Sequence, residues 1–200
     1  MNDSLPFSQA CENNKAPILQ HFTTLLEDRA RLLEVGGGTG QHAVFFAENL
    51  THLQWQSTDI PSNVDSLNLR IAQAAMPNLP LASALDVNDT QWNVGKFDAV
   101  FTANSIHIMS AASVERFFST LPNHLESSAL LIIYGPFRYA GEYTTESNER
   151  FDGWLKARDP LSGVRDFEWV DELAQQAGLK LKADHSMPAN NQLLVWNKVS

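Results

Sequence analysis

The stretch that decides the fold is LLEVGGGTGQHAVFFA, residues 32–47, which places four glycines within positions 36–40. The apolar residues before the glycines are typical of a buried β-strand, and those after them recur with helical spacing. A plain turn between strand and helix needs only one glycine. Several glycines permit positive φ angles and let a ligand approach the main chain closely. The stretch therefore predicts a ligand-binding strand–turn–helix unit, with a plain tight turn as the alternative.

Strand-like and helix-like segments alternate outward from this unit. Strands are predicted at residues 31–36, 54–58, 80–85, 97–103, 129–135, 179–184 and 192–198. Helices are predicted at residues 16–27, 40–50, 63–76, 111–125 and 166–178. This alternation predicts an α/β fold with a Rossmann-like, doubly wound, seven-stranded and mostly parallel sheet. Its last strand is expected to be antiparallel, since only a short segment precedes it, and helices are expected on both faces.

The composition is that of one domain, residues 1–200, with 44% hydrophobic side chains, enough for a single core. The net charge of -9 and the lack of a lysine and arginine cluster argue against a nucleic-acid partner. Cys11 is the only cysteine, which excludes disulfides within the chain and cysteine-based zinc sites. The six histidines form no pair at ligand spacing, so we predict no metal.

Residues 1–15 lack the basic start and the apolar segment of a signal peptide, and no apolar run approaches the ~18 residues of a membrane helix. We therefore expect a cytoplasmic protein without a membrane partner. The sequence leaves the oligomeric state open.

A long connection, residues 136–165, interrupts the alternation after the fifth predicted strand. Connections between strands and helices in such folds usually have about 2 to 6 residues. Phe151, Trp154, Leu155 and Arg158 lie at helical spacing within it. The connection is predicted to add a helix that packs on the domain, or a lid over a pocket.

The glycine spacing alone does not separate two ligand classes. The GxGxxG motif of dinucleotide-binding turns is met from Gly38 only with Ala43 as its last residue. Phosphate groups are bound with the help of cations, yet residues 32–69 contain no lysine or arginine, and Glu34 ends the first strand. S-adenosylmethionine carries no phosphate and a net positive charge. Coulomb attraction to Glu34 therefore favours this compound over a dinucleotide.

Two aspartates lie at the ends of the next two predicted strands. Asp59 ends the second strand, where a carboxylate can accept hydrogen bonds from both ribose hydroxyls. Asp86 follows the third strand, where it can accept from an adenine amino group while the Val87 amide donates to the ring. An aspartate at a strand end also commonly caps the following helix. Acids on three successive strand ends favour the cofactor.

An ExGxGxG motif with a threonine inside it is formed by Glu34, Gly36, Gly38, Thr39 and Gly40. This motif resembles that of the class I S-adenosylmethionine-dependent methyltransferases. The chain further resembles a poorly characterised methyltransferase-like family within that class, formerly a domain of unknown function. The resemblance runs through ACENNKAPIL, GTGQHAVFFA, YGPFRYAGEYTTESNERFDGWLKARDP, GVRDFEWVDELAQQAGL and MPANN. It implies S-adenosylmethionine as cofactor, bound by the turn at residues 36–40, and methyl transfer as the reaction.

Candidate residues for the methyl acceptor follow the fourth predicted strand. Methyl transfer is an in-line displacement, so an enzyme chiefly supplies alignment and a dry pocket. Asn104 can contact the methionine end of the cofactor or the acceptor, or it can be a turn residue that bonds its own backbone. His107 can act as a general base, although its apolar neighbours favour a packed structural histidine.

Aromatic residues follow the fifth predicted strand. Tyr134 can act catalytically through its hydroxyl or its ring, or can simply pack in the core. Phe137 and Tyr139 lie near the same end of the fifth strand, at the opening of the predicted site, and can form walls for a flat or apolar acceptor. Near the amino end, Asn14 belongs to a polar group that precedes a helix and can form a flap over the substrate.

The sequence thus supports three hypotheses. The leading one is a methyltransferase for a small molecule, because the chain has few residues beyond those that a cofactor-binding domain needs. The second is an S-adenosylmethionine-binding sensor or partner subunit without turnover. The third is a nicotinamide-dependent oxidoreductase, which the missing cations and the absence of a Tyr-x-x-x-Lys pair disfavour.

Overall fold

The computed structural model describes residues 5–199. Its centre is a seven-stranded sheet in the order β3-β2-β1-β4-β5-β10-β9. The strands are β1 Arg31–Val35, β2 Gln54–Asp59, β3 Ser83–Ala84, β4 Phe97–Ala103, β5 Leu125–Gly135, β9 Leu179–Met187 and β10 Asn191–Lys198. Neighbouring strands from β3 to β5 are parallel, and β10 is antiparallel to both β5 and β9. The predicted sheet, including its antiparallel last strand, is confirmed.

Helices cover both faces of this sheet, as predicted. They are α1 Gln9–Leu25, α2 Gln41–Asn49, α3 Pro61–Ala74, α4 Ala111–Thr120, α5 Glu146–Arg158 and α6 Phe167–Gln176. One group of buried residues lies under α1, α2 and α3 and includes Leu32 of β1. The other lies under α4 and α6 and includes Leu33. Successive residues of β1 therefore point to opposite faces, and both faces are covered with apolar side chains.

Several element boundaries differ from the sequence prediction, and those of α1, β3 and β9 are examples. Helix α1 begins seven residues before the predicted start at residue 16, since the Ser8 side chain caps it by accepting from the Cys11 amide. Pro17 suggested a first turn but lies inside the helix. Strand β3 has only two residues, and β9 extends to Met187 before a short 3₁₀ turn, Pro188–Asn190, leads into β10.

The long connection folds into a small second sheet and the helix α5. Strands β6 Phe137–Tyr139, β7 Glu142–Tyr143 and β8 Arg165–Asp166 pair in the order β7-β6-β8. The buried Asp152 of α5 holds the unit together, because its carboxylate accepts from the Val164 amide at 2.7 Å and from the Tyr143 hydroxyl at 2.7 Å. A helix in this connection was predicted, and α5 confirms it.

Residues 5–199 contain no helix that is both long and apolar enough to cross a membrane. The carboxyl ends of the parallel strands β1, β2 and β4 meet at one edge of the sheet, where the turn of residues 36–40 lies. That edge is where ligands bind in doubly wound folds.

Candidate functional site

A cavity of about 780 Å³ opens at this edge. Pockets that hold a whole small ligand have about 300 to 1,000 Å³. Eight of the residues proposed from sequence line it, namely Gly36, Gly38, Thr39, Asp59, Asp86, Val87, Asn104 and His107. Side chains from the start of α1 and from α5 complete its wall.

All four glycine amides of the turn are bonded within the protein. The amides of Gly36 and Gly37 donate to the Thr58 carbonyl at 3.0 and 2.9 Å, and that of Gly40 donates to the Gly37 carbonyl at 3.0 Å. The Gly38 amide donates to Oδ2 of Asp59 at 2.7 Å. A pyrophosphate needs free amides at such a turn. The four glycine amides are therefore not free for a pyrophosphate.

Close packing explains two of the glycines independently of any ligand. A Cβ atom on Gly37 would lie 2.2 Å from Oγ of Ser57 on β2. One on Gly36 would lie 2.5 Å from Oγ of Ser105, and Gly36 also has a φ of +80°. The turn thus lies directly against the ends of β2 and β4. A side chain at position 36 or 37 would not permit this close approach.

Glu34 does not line the cavity, although the sequence predicted that its carboxylate would attract a cationic ligand directly. Its carboxylate is 1% exposed and lies beneath the turn, where Oε2 accepts from Oγ of Ser57 at 2.6 Å and from Nε1 of Trp55 at 3.0 Å. Both donors belong to β2, which pairs with β1 and draws the carboxylate inward. Burial raises the pKa of this carboxyl, and the nearby charge of Asp59 raises it further.

Asp59 has the position that the sequence predicted, at the end of β2 and on the cavity wall. Its carboxylate is 7% exposed and holds the turn through the Gly38 amide. Oδ1 accepts from the Ile60 amide at 2.8 Å and from the Asn63 side chain at 2.9 Å. A carboxylate has about four acceptor positions, so one remains for a ligand hydroxyl. These contacts fix the orientation of the group before any ligand binds.

Asp86 and Val87 line the cavity next to Asp59, in the loop after β3. Oδ1 of Asp86 accepts from the amide and from the side chain of Asn88, both at 2.9 Å. Oδ2 has no such partner within the loop, so the carboxylate keeps an acceptor for an amino group. Ile60, 43% exposed, adds an apolar surface at the same end of the cavity.

Of the two remaining turn residues, Thr39 lines the cavity and Gly40 supports the turn. The Thr39 hydroxyl donates to Oε1 of Gln41 at 2.9 Å. Gly40 does not line the cavity. It precedes α2 with a φ of +75° and is close to the Leu67 side chain, where a Cβ would lie 2.9 Å from Cδ1. Gly40 thus shapes the turn but does not contact the space for a ligand.

Asn104 and His107 follow β4 and both line the cavity. Asn104 has a φ of +57°, and its amide donates to the Tyr134 carbonyl at 2.8 Å. His107 is 5% exposed, and its ring meets that of Phe151 edge to face at 5.3 Å between centroids. Burial lowers the pKa of His107 to about 4, and the charge of Arg165 contributes. The histidine is therefore both packed and in contact with the cavity, as an uncharged ring at neutral pH.

Four residues proposed for catalysis or substrate binding lie outside the cavity. Tyr134 is buried in the core beneath α1, and Asn14 is a buried residue of α1 itself, with its Oδ1 2.6 Å from Nε2 of His42. Phe137 is 1% exposed in the core beneath α4 and α6. The Tyr139 hydroxyl donates to Asp184 at 2.7 Å. The structure therefore does not bring these four side chains to the cavity wall: Tyr134 and Phe137 point into the core, Asn14 bonds His42, and Tyr139 reaches β9 of the large sheet.

Two further parts of the wall come from segments for which the sequence predicted a flap or, as one alternative, a lid. The first is the start of α1, where Gln41 of α2 bonds Ser8 and Oε1 of Glu12, and where Ser8 and Cys11 face the cavity. The second is the cavity face of α5, with Phe151, Trp154 and Arg158. Helical spacing revealed the α5 residues, but only the fold shows which side faces the cavity.

Solved structures with the same fold include methyltransferases. The chain matches an O-methyltransferase family protein from Burkholderia thailandensis with a TM-score of 0.83 at 15% identity, over 96% of this chain and 58% of that one. It matches human N-acetylserotonin methyltransferase, solved in complex with S-adenosylmethionine, with a TM-score of 0.80 at 13% identity, over 96% and 53%. A putative O-methyltransferase from Nostoc punctiforme gives 0.79 at 16%, over 94% and 56%.

The chain thus spans a little over half the length of each of these proteins, and the likeness concerns the fold, which is that of the class I methyltransferases. A family model covers nearly the whole chain, residues 5–198. The chain belongs to that family, whose description is "Protein of unknown function (DUF938)".

Proposed function

We propose that this protein binds S-adenosylmethionine and transfers its methyl group to a small molecule. One observation carries the proposal. The four glycine amides of the turn are bonded within the protein, while the oriented carboxylate of Asp59 lies beside them on the cavity wall. Such a turn offers no glycine amide to a phosphate, and Asp59 keeps an acceptor for a ribose hydroxyl.

The residues present fit this cofactor along the cavity. Asp59 would hold the ribose, while Ile60, Asp86 and Val87 would hold the adenine through an apolar contact and a carboxylate acceptor. The glycine turn and Asn104 would adjoin the methionine part. The cofactor, when bound, supplies an electrophilic methyl group on a sulfonium.

His107 is the titratable group of the cavity wall next to Asn104. Its imidazole is uncharged at neutral pH, because burial lowers its pKa to about 4. An uncharged ring can accept a hydrogen bond from an acceptor hydroxyl and orient it. Contact with Phe151 holds the ring in place. Orientation of this kind contributes more to methyl transfer than strong basicity does.

The volume of the cavity, about 780 Å³, supports a small acceptor. The start of α1 is fastened to α2 through Gln41, and α5 forms another part of the wall. The chain carries a net charge of -9, which disfavours a nucleic acid as the acceptor.

Binding without turnover is a second candidate, and one observation favours it. The two histidines on the cavity wall, His42 and His107, both have a pKa lowered to about 4 by burial. A general base is most effective with a pKa near the working pH. A sensor or partner subunit would need no such base.

Titration calorimetry with S-adenosylmethionine, S-adenosylhomocysteine and NAD tests the proposal. We expect micromolar binding of the first two and none of NAD. Asp59→Ala should weaken binding by about 1 to 3 kcal/mol, as for a lost charge-assisted hydrogen bond. Asp65→Ala, an exposed position on α3, is the matched control and should leave binding unchanged. NAD binding, or full affinity in Asp59→Ala, would contradict the proposal.

A metabolite extract incubated with methyl-labelled S-adenosylmethionine separates the two candidates. Transfer of label to a small molecule supports the enzyme. Tight cofactor binding without any labelled product supports the sensor.

A further inference from the structure

Three aromatic rings and a guanidinium form a continuous wall on the α5 side of the cavity. The Phe151 ring meets His107 at 5.3 Å and stacks on Trp154 at 5.8 Å with an interplanar angle of 17°. The Arg158 guanidinium carbon lies 4.7 Å from the centre of the Trp154 ring. Residues 151, 154 and 158 share one face of α5, which explains their alignment.

Core packing does not account for this wall. Trp154 is 51% exposed, and Ile108, which lines the same part of the cavity, is 46% exposed. Leu155, on the adjoining face of the helix, is 1% exposed and anchors α5 to the core. Apolar side chains that remain exposed within a concave site are typical of ligand contacts.

Charge divides the cavity into two ends. Its acidic lining residues are Asp59 and Asp86, which lie at the ends of β2 and β3. Its basic lining residue is Arg158 of α5, the helix whose Phe151 contacts His107 after β4, two strands away from β2 in the sheet. Within residues 5–199, Arg158 makes no ion pair. The guanidinium is therefore available for an anion.

The carboxylates near Arg158 already have other partners, so they do not neutralise its guanidinium. The Asp152 carboxylate on the same helix is taken up by the Lys156 ammonium at 2.6 Å. The Asp159 carboxylate accepts from the Leu161 amide at 2.9 Å. Arg165 donates to the carbonyls of Ile106 and Met109 behind His107 and adds positive charge beneath the wall.

We propose that this wall binds a planar aromatic acid as the methyl acceptor, with its ring against Phe151 and Trp154 and its carboxylate on Arg158. The inference rests on the proposed function, since the acidic end of the cavity is assigned there to the nucleoside. An aromatic surface favours a flat conjugated ring, and a guanidinium favours a carboxylate through paired hydrogen bonds. Asn104 and His107 border the space between the two ends.

Binding of three probes to the protein saturated with S-adenosylhomocysteine tests this inference. The probes are para-hydroxybenzoate, its uncharged amide, and the ring-saturated para-hydroxycyclohexanecarboxylate. We expect para-hydroxybenzoate to bind about tenfold more tightly than either of the others, because each lacks one of the two contacts. Equal affinity of the three, or no binding of para-hydroxybenzoate at millimolar concentration, would overturn the inference.

Substitutions in α5 test whether the carboxylate of the probe contacts Arg158. Arg158→Gln should reduce the affinity for para-hydroxybenzoate about tenfold and remove its advantage over the amide, and Arg158→Lys should retain part of it. Arg150→Gln removes a charge from the same helix, where the side chain is 73% exposed and pairs with Glu146, and should have no effect. An equal loss in Arg150→Gln would overturn the inference.

Affinity for S-adenosylhomocysteine, measured on the same variants, separates this inference from the proposed function. We expect that affinity to be unchanged in Arg158→Gln. A large loss would assign Arg158 to the carboxylate of the cofactor and overturn the inference, while leaving cofactor binding intact in the wild type. Failure of the wild type to bind S-adenosylhomocysteine would contradict the proposed function itself.

Discussion

His42 offers a direct test of how burial controls the charge of this site. The ring is 4% exposed, stacks on Phe46 at 5.3 Å, and has Nε2 2.6 Å from Oδ1 of Asn14. Burial lowers its pKa from 6.5 to about 4, while the charge of Glu12 opposes the shift and that of Lys15 adds to it. The folded protein therefore holds the imidazole uncharged where the unfolded chain protonates it.

Acidification through this window should destabilise the fold. Below pH 6.5 the unfolded chain binds a proton at His42 that the folded protein does not bind until about pH 4. The contribution to stability is complete above pH 6.5 and decreases as the pH falls. The limiting slope is about 1.4 kcal/mol per pH unit, and the unfolded chain is only half protonated at pH 6.5, so lowering the pH from 6.5 to about 4.5 should remove about 2 kcal/mol.

Glu34 acts in the opposite direction to His42. Burial raises the pKa of its carboxyl, so acidification protonates it in the folded protein before the unfolded chain. The pH dependence of the wild type alone therefore contains both effects. A variant that removes only the histidine isolates the effect of His42.

Urea unfolding of the wild type and of His42→Gln, at several pH values between about 7 and about 4.5, makes the measurement. Glutamine retains a donor for Asn14 but does not titrate. The stability advantage of the wild type over the variant should shrink by about 1.4 kcal/mol per unit below pH 6.5. His107→Gln should show the same slope, since burial lowers that pKa to about 4 as well. A difference independent of pH would refute the reasoning.

Three further predictions concern the supports of the site. Gly37→Ala should lower the free energy of unfolding by about 1 to 3 kcal/mol, because its Cβ would lie 2.2 Å from Oγ of Ser57. Urea unfolding of the double variant with Ser57→Ala should recover part of the loss, and no recovery would exclude this contact as its source. Asn78→Ala should cost about 1 to 3 kcal/mol in the same assay, because its amide donates to three carbonyls around the end of α2, and a neutral result would contradict this. Arg70→Ala removes bonds to the Thr39 carbonyl and to the amino-terminal segment, so S-adenosylhomocysteine should dissociate faster in stopped-flow measurements. An unchanged rate would contradict the inference that these bonds hold the amino-terminal segment at the cavity wall.

Local sequence patterns were sufficient for the order of strands and helices. The glycines at positions 36–40 and the alternation of apolar runs follow from backbone geometry and burial, which act over a few residues. The same patterns placed Asp59 and Asn104 at strand ends, and parallel strands bring those ends to one edge. Boundaries that depend on distant partners were less accurate, as the start of α1 shows, where the Ser8 amide is held by Gln41 of α2.

The sequence by itself therefore determined the sheet, its helices and the edge that holds the cavity. Only the tertiary structure decided the direction of each side chain. Glu34 lies in the expected motif yet points away from the cavity, because two donors on the adjacent strand β2 bind its carboxylate. Tyr134 and Phe137 lie near the predicted mouth yet pack in the core, whereas Trp154 remains exposed on the cavity wall. Such orientations depend on packing between elements far apart in the chain, and a local pattern contains no information on those contacts.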